Sequence, residues 1–166
     1  MRFLRRRSSR LSIATDCVIP PIKRHGGEVL EFLGDGILAI LHENGERSAR
    51  EACQLAFEAA REGLDGLSNL NHHLSVTPRH LKAGFALHYG EVSYGNIGAG
   101  DRLDFTVIGP DVNLTSRIER LCRELDRNLI MSEDFVRHLD SPVFEIGYFR
   151  LRGFSRMQLL FGLPTA

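Results

Sequence analysis

Residues 26–41 read GGEVLEFLGDGILAIL, two mainly apolar runs at 29–33 and 37–41 separated by Gly34-Asp35-Gly36. Glycine reaches the positive φ that a tight connection between twisted strands requires, so this stretch predicts a β-hairpin. A hairpin here constrains the rest of the chain, because it commits the first sheet residues to antiparallel pairing. The aspartate at its tip can serve the turn, which its residue type favours, or it can hold a metal ion.

The remaining pattern repeats the theme. Residues 11–25 predict a helix that Pro20 and Pro21 kink or end. In 46–64, small or apolar residues at 49, 52, 53, 56, 57 and 60 mark one helical face, and the polar segment 65–79 reads as a connection. Residues 81–92 alternate around Ala83, Phe85, Leu87 and Tyr89 as a strand. The glycine-rich stretch that follows returns as a second hairpin, ending in a short β run at 105–108. Pro110 is suited to the first turn of a helix over 112–125. A strand at 129–131, a brief helix capped by Ser132 and two strands at 143–151 and 157–163 close the chain. Helices alternate with strands, yet hairpins are frequent. That predicts an α+β fold with a mixed, mostly antiparallel sheet rather than a doubly wound parallel one.

Length and composition narrow the class. A chain of 166 residues forms one domain with its own core. The formal charge is zero, but the first ten residues hold five arginines and no acid. The other residues carry 16 basic against 21 acidic side chains, which argues against a general nucleic-acid surface. Residues 1–10 read as a basic leader expected to lack fixed structure. Cys17, Cys53 and Cys122 are odd in number and widely spaced, as in a reduced, cytoplasmic protein, and no Cys or His pair has zinc-site spacing. No apolar run is long enough to span a membrane. Phosphate-loop, nucleophile-elbow, metalloprotease and dinucleotide-binding motifs are all missing from the sequence.

A few residues could carry chemistry. Asn113 and Arg117 lie four apart near the start of one predicted helix and so share a face. An amide beside a planar guanidinium at a helix N-terminus suits an anionic ligand, although most such residues are simply solvated. Strand alternation puts Glu31 on the face of Val29 and Leu33, an unusual place for a carboxylate without a partner. Thr106 and Arg152 complete the set.

Three segments in order, HGGEVLEFLGDGILAIL, GFALHYGEVSYGNIG and DFTVIGPDVNLTSRIE, resemble the class III adenylate/guanylate cyclase catalytic domain. The resemblance runs over about 11–163 and implies a ferredoxin-like, palm-type sheet with helices packed on one face. It implies a homodimer, or a heterodimer with another cyclase subunit, with each site lying across the interface. Its substrate would be ATP or GTP, and two Mg2+ or Mn2+ ions would be held by two aspartates. Carried over position by position, Asp35 matches one metal ligand. Asn113 and Arg117 match the ribose-orienting and transition-state residues, and Arg152 stands where a lysine meets the triphosphate. Glu31 and Thr106 match the base-reading pair.

The chain also departs from that pattern. Nothing before His25 resembles the strand that brings the other metal aspartate, so 11–166 reads as an incomplete cyclase domain, truncated at its N-terminus and leaving a raw sheet edge. Glu31 accepts hydrogen bonds and suits guanine, whereas Thr106 fits either base. The base stays open on these residues. Two alternatives accompany the cyclase reading. One is a degenerate cyclase-homology module that dimerises with and regulates an intact cyclase. The other is a diguanylate-cyclase-like palm domain with GGEV as its loop, although the Asn-x-x-x-Arg helix is foreign to that family.

Overall fold

A computed structural model describes residues 9–34, 36–73, 81–99 and 102–164, with the side chains of 9–14, 96–99 and 102–106 left aside. Asp35, most of the basic leader and the end of the predicted connection therefore lie outside the described residues, as does the side chain of Thr106.

Helix α1 (Ser9–Arg24) leads into β1 (Glu28–Leu33) and β2 (Gly36–Ile40), which pair antiparallel as the expected hairpin. Gly34 takes φ 65°, the left-handed geometry that the turn demands. Then come α2 (Ala49–His73), β3 (Phe85–Leu87) and a second hairpin of β4 (Ser93–Ala99) and β5 (Arg102–Ile108). The chain finishes with α3 (Pro110–Glu124), β6 (Leu129–Ser132), α4 (Glu133–Val136), β7 (Phe144–Phe149) and β8 (Gln158–Gly162).

The main sheet has the order β3-β6-β8-β7, with β3 parallel to β6 and the other pairs antiparallel. The α+β class with a mixed, mostly antiparallel sheet is thus the one formed. Strand β6 is its centre, and its alternation builds two cores. Leu129 and Met131 pack with Cys53, Phe57 and Ala60 of α2, whereas Ile130 packs with Leu114, Ile118 and Cys122 of α3 and Leu160 of β8. The two long helices that follow the first hairpin thus pack against alternate residues of β6. Among the described residues β3 has no strand on its outer side, and each hairpin is a separate two-stranded sheet.

Other departures have tertiary causes. Pro20 and Pro21 lie inside α1 and do not end it. Pro21 and Ile22 are buried, and Arg24 and His25 bond Glu62 of α2 at 2.7 and 2.8 Å, so docking offsets the lost backbone bonds. Helix α2 runs on to His73 through half of the predicted connection, with Leu67 still buried. Its start has a signal that composition hides: Ser48 and Glu51 form a capping box, Glu51 accepting from the Ser48 backbone N–H and hydroxyl, each at 2.8 Å. Those bonds hold the Glu51 carboxyl below its ordinary pKa. Strand β3 is far shorter than 81–92, because the chain leaves the sheet at His88.

Candidate active site

Helix α3 is the best-fixed element among those bearing candidate residues. Pro110 occupies its first turn, and Leu114, Ile118 and Cys122 recur at helical spacing to form its buried stripe. Burial pushes the Cys122 thiol up to about 12. With that stripe held on the sheet, Asn113 is exposed and Arg117 is half-buried on a neighbouring flank. The Asn113 side-chain N–H donates to the Gly109 carbonyl at 3.3 Å. Among the described residues Arg117 makes no ion pair, so its guanidinium charge is uncompensated by a carboxylate.

The other candidates approach α3 from two directions. The β7–β8 turn places exposed Arg152 directly after Leu151, which is buried against Leu114 and Ile118 of α3. The packing of one residue thus brings an arginine-bearing turn to the helix. On the other side, β5 runs beside β1 and ends next to α3, joining the strands of Thr106 and Glu31. The backbone of Thr106 pairs with Gly95. Tyr94 of β4 locks the two hairpins together, its hydroxyl donating to Glu28 of β1 at 2.8 Å and its ring meeting His42 edge-on at 4.8 Å. The Glu28 bond raises the Tyr94 phenol above its ordinary pKa.

Glu31 is exposed, against the expectation from strand alternation. Residues 31–33 are all exposed, so both faces of this end of β1 are open, and a bulge between Val29 and Glu31 interrupts the pairing. Asp35 lies outside the described residues, and among those residues no group of three His, Cys, Asp or Glu side chains is arranged to hold a metal ion.

A pocket of about 310 Å3 lies beyond the N-terminus of α3, lined by His88, Glu91, Asp111, Asp134, Arg137 and His138 among others. Neither Asn113 nor Arg117 faces it. Sequence reading missed this cluster, because His88 and Asp111 are joined only by the fold.

Comparison with known proteins now decides the family. An adenylate cyclase of Anabaena cylindrica is 32% identical over 126 residues, 76% of this chain and 25% of that protein. Adenylate cyclase 2 of Rhizobium meliloti is 32% identical over 126 residues, 75% of this chain and 33% of that protein. The chain belongs to the class III adenylate/guanylate cyclase domain family. It spans a quarter to a third of the length of these curated relatives. The adenylyl cyclase CyaB from P. aeruginosa shares the fold of this cyclase domain with a TM-score of 0.78 at 19% identity, over 96% of this chain and 82% of that one. The guanylyl cyclase Cya2 superposes with a TM-score of 0.74 at 25% identity, over 93% of this chain and 79% of that one. No protein-family model matches the chain. No helix among the described residues is long and apolar enough to cross a membrane.

Proposed function

We propose that this cyclase domain contributes Asn113 and Arg117 to a site that converts a purine nucleoside triphosphate into its cyclic 3′,5′-monophosphate and pyrophosphate. The observation that carries the reading is the two-sided α3: a buried stripe fixes the helix, and beside it stand an exposed amide and a guanidinium that has no acidic partner among the described residues. In the reaction the ribose 3′-oxygen forms a bond to the α-phosphorus as its proton departs. The bond from that phosphorus to the bridging oxygen breaks, and pyrophosphate leaves. Asn113 would orient the ribose. Arg117 would stabilise the charge that builds on the phosphoryl oxygens, where a preorganised cation contributes most.

Neither Asn113 nor Arg117 lines the pocket at the N-terminus of α3, and the proposal includes a second cyclase subunit that completes the site. Mg2+ or Mn2+ at Asp35 belongs to the same proposal. The described residues supply no further metal ligand group, so the roles assigned here are those of Asn113 and Arg117.

The test is direct. Purified chain at dimer-forming concentration, given Mn2+ with ATP or GTP, should release pyrophosphate and cyclic nucleotide. Arg117→Ala should lower turnover by about 10²–10³-fold, the range for removing one transition-state charge contact, with the melting curve unchanged. Absence of product with either nucleotide would remove the self-sufficient cyclase. The module alternative then predicts that mixing with a metal-competent cyclase deficient in its own Asn and Arg restores turnover, and that Arg117→Ala abolishes the rescue. For the base, Glu31→Lys should move preference toward ATP, because an ammonium donates where a carboxylate accepts. An unchanged ATP:GTP ratio would show that Glu31 does not read the purine.

A further inference from the structure

The turn after β3 grips the first turn of α3 through a single carboxylate. Asp111 accepts the Glu91 backbone N–H at 2.8 Å on one oxygen, and its other oxygen stands 3.4 Å from Nε2 of His88. Its own carbonyl accepts the Thr115 hydroxyl at 2.8 Å, tying the carboxylate's residue into the helix. The approach depends on Gly90: a Cβ there would lie 2.3 Å from the Asp111 carboxylate and 2.8 Å from the His88 ring.

His88 is held from behind. Its side chain is 4% exposed, and Nδ1 lies 2.7 Å from the hydroxyl of Ser132, which is itself buried. The Ser132 oxygen already accepts the Phe135 N–H at 3.2 Å as the cap of α4. The Asp111 carboxylate facing Nε2 can only accept, which favours the tautomer with the ring proton on Nε2 and the Ser132 hydroxyl donating to Nδ1. That N–H points at Asp111, is buried, and has no hydrogen-bond partner among the described residues. Buried donors are rarely left so, and catalytic contacts commonly stand long in the empty site and close in the reacting complex.

We infer that His88 is a positioning residue for the proposed cyclase site: anchored by Ser132, it draws Asp111 toward the sheet and so sets the placement of the α3 turn that carries Asn113, with Arg117 one turn on. The charged and titratable groups around it are Asp111 and Glu91 on the near side, and Asp134, Arg137 and His138 across the pocket. Arg137 is occupied by Glu133 and Asp134, at 2.8 and 3.4 Å, and the His138 ring lies tilted against Tyr89 with centroids 4.4 Å apart, which leaves Asp111 as the partner for Nε2.

The inference rests on the proposed function for its catalytic consequence and on geometry alone for the clasp, so two readouts separate them. Asparagine at this position can replace Nδ1 and keep Ser132 but cannot reach Asp111, whereas glutamine can reach Asp111. His88→Asn should therefore speed hydrogen exchange at the amides of Asn113, Leu114 and Thr115 by about tenfold while Ile130 and Met131 stay protected. It should also lower kcat by about ten- to hundredfold with KM within about twofold, the signature of misplacement rather than lost binding. His88→Gln should restore both. Asp111→Asn, whose amide puts an NH2 against one of the two N–H donors, should reproduce the His88→Asn pattern and carries the test if that variant does not fold. Equal behaviour of the Asn and Gln variants, or unchanged exchange in His88→Asn and Asp111→Asn, overturns the clasp. The expected exchange pattern in a chain that makes no cyclic nucleotide, alone or with a cyclase partner, upholds the clasp and overturns the cyclase reading.

Discussion

Helix α3 and the first hairpin both carry candidate site residues, and they are held in opposite ways. Every turn of α3 puts a residue into a core shared with Ile130 and Leu160, two of the least exposed side chains of the domain. Among the described residues the β1–β2 hairpin pairs only with itself, leaves Phe32 and Leu33 58% and 51% exposed, and meets its neighbours through the Tyr94–Glu28 bond and edge contacts. The chain invests its packing where a fixed position matters for the chemistry proposed. It leaves apolar surface open where the family resemblance puts a metal-bearing tip and a partner subunit. Exposed patches of that kind are typical of surfaces that another chain covers.

The sharpest way to break this comparison is to remove packing from each side. Ile118→Ala, which empties a fully buried position, should cost about 2–5 kcal/mol of unfolding free energy. Phe32→Ser, on the exposed hairpin, should change it by less than about 0.5 kcal/mol. Urea unfolding followed by far-UV circular dichroism measures both. A comparable loss from the two substitutions would mean that the hairpin shares in the core after all.

How far the sequence reveals the fold follows the same division. Helical spacing located α3, short apolar runs located β6 and the closing strands, and glycine-rich turns marked both hairpins, because each signal is local. Ser132 was readable as a cap because capping is local, and its bond to Phe135 follows. What escaped was tertiary in origin. The prolines of α1 argue for a break, and only docking on α2 explains why the helix continues. The exposure of both faces at the end of β1 has no local marker. His88 and Asp111 lie on either side of the whole second hairpin, so no window on the sequence joins them. Within the site, Asn113 and Arg117 were legible as a pair because a helix alone aligns them. Arg152 reaches α3 only because its neighbour Leu151 is buried there.

The smallest expected effect concerns a hydrogen bond between the chain that leaves the first hairpin and the turn that holds α3. The Tyr89 hydroxyl, in the turn after β3, donates to Glu43, just beyond β2, at 2.5 Å. That bond, with smaller contributions from burial and nearby acids, pushes the phenol up to about 12 from an ordinary value of 10.0. The folded state thus holds this proton more tightly than the unfolded chain. Its contribution is fully present below pH 10 and is lost as pH rises toward 12, since between those values the folded state binds more protons. Stability should accordingly fall with rising pH across this window, and Tyr89→Phe should flatten that part of the profile, lying slightly below the parent at neutral pH and converging on it toward pH 12. Melting temperatures taken from pH 9 to 12 on the two proteins, about half a pH unit apart, measure the difference. Parallel profiles would show that the Tyr89–Glu43 bond contributes nothing to stability, and that the hairpin is held through α1, β5 and the Tyr94–Glu28 bond instead.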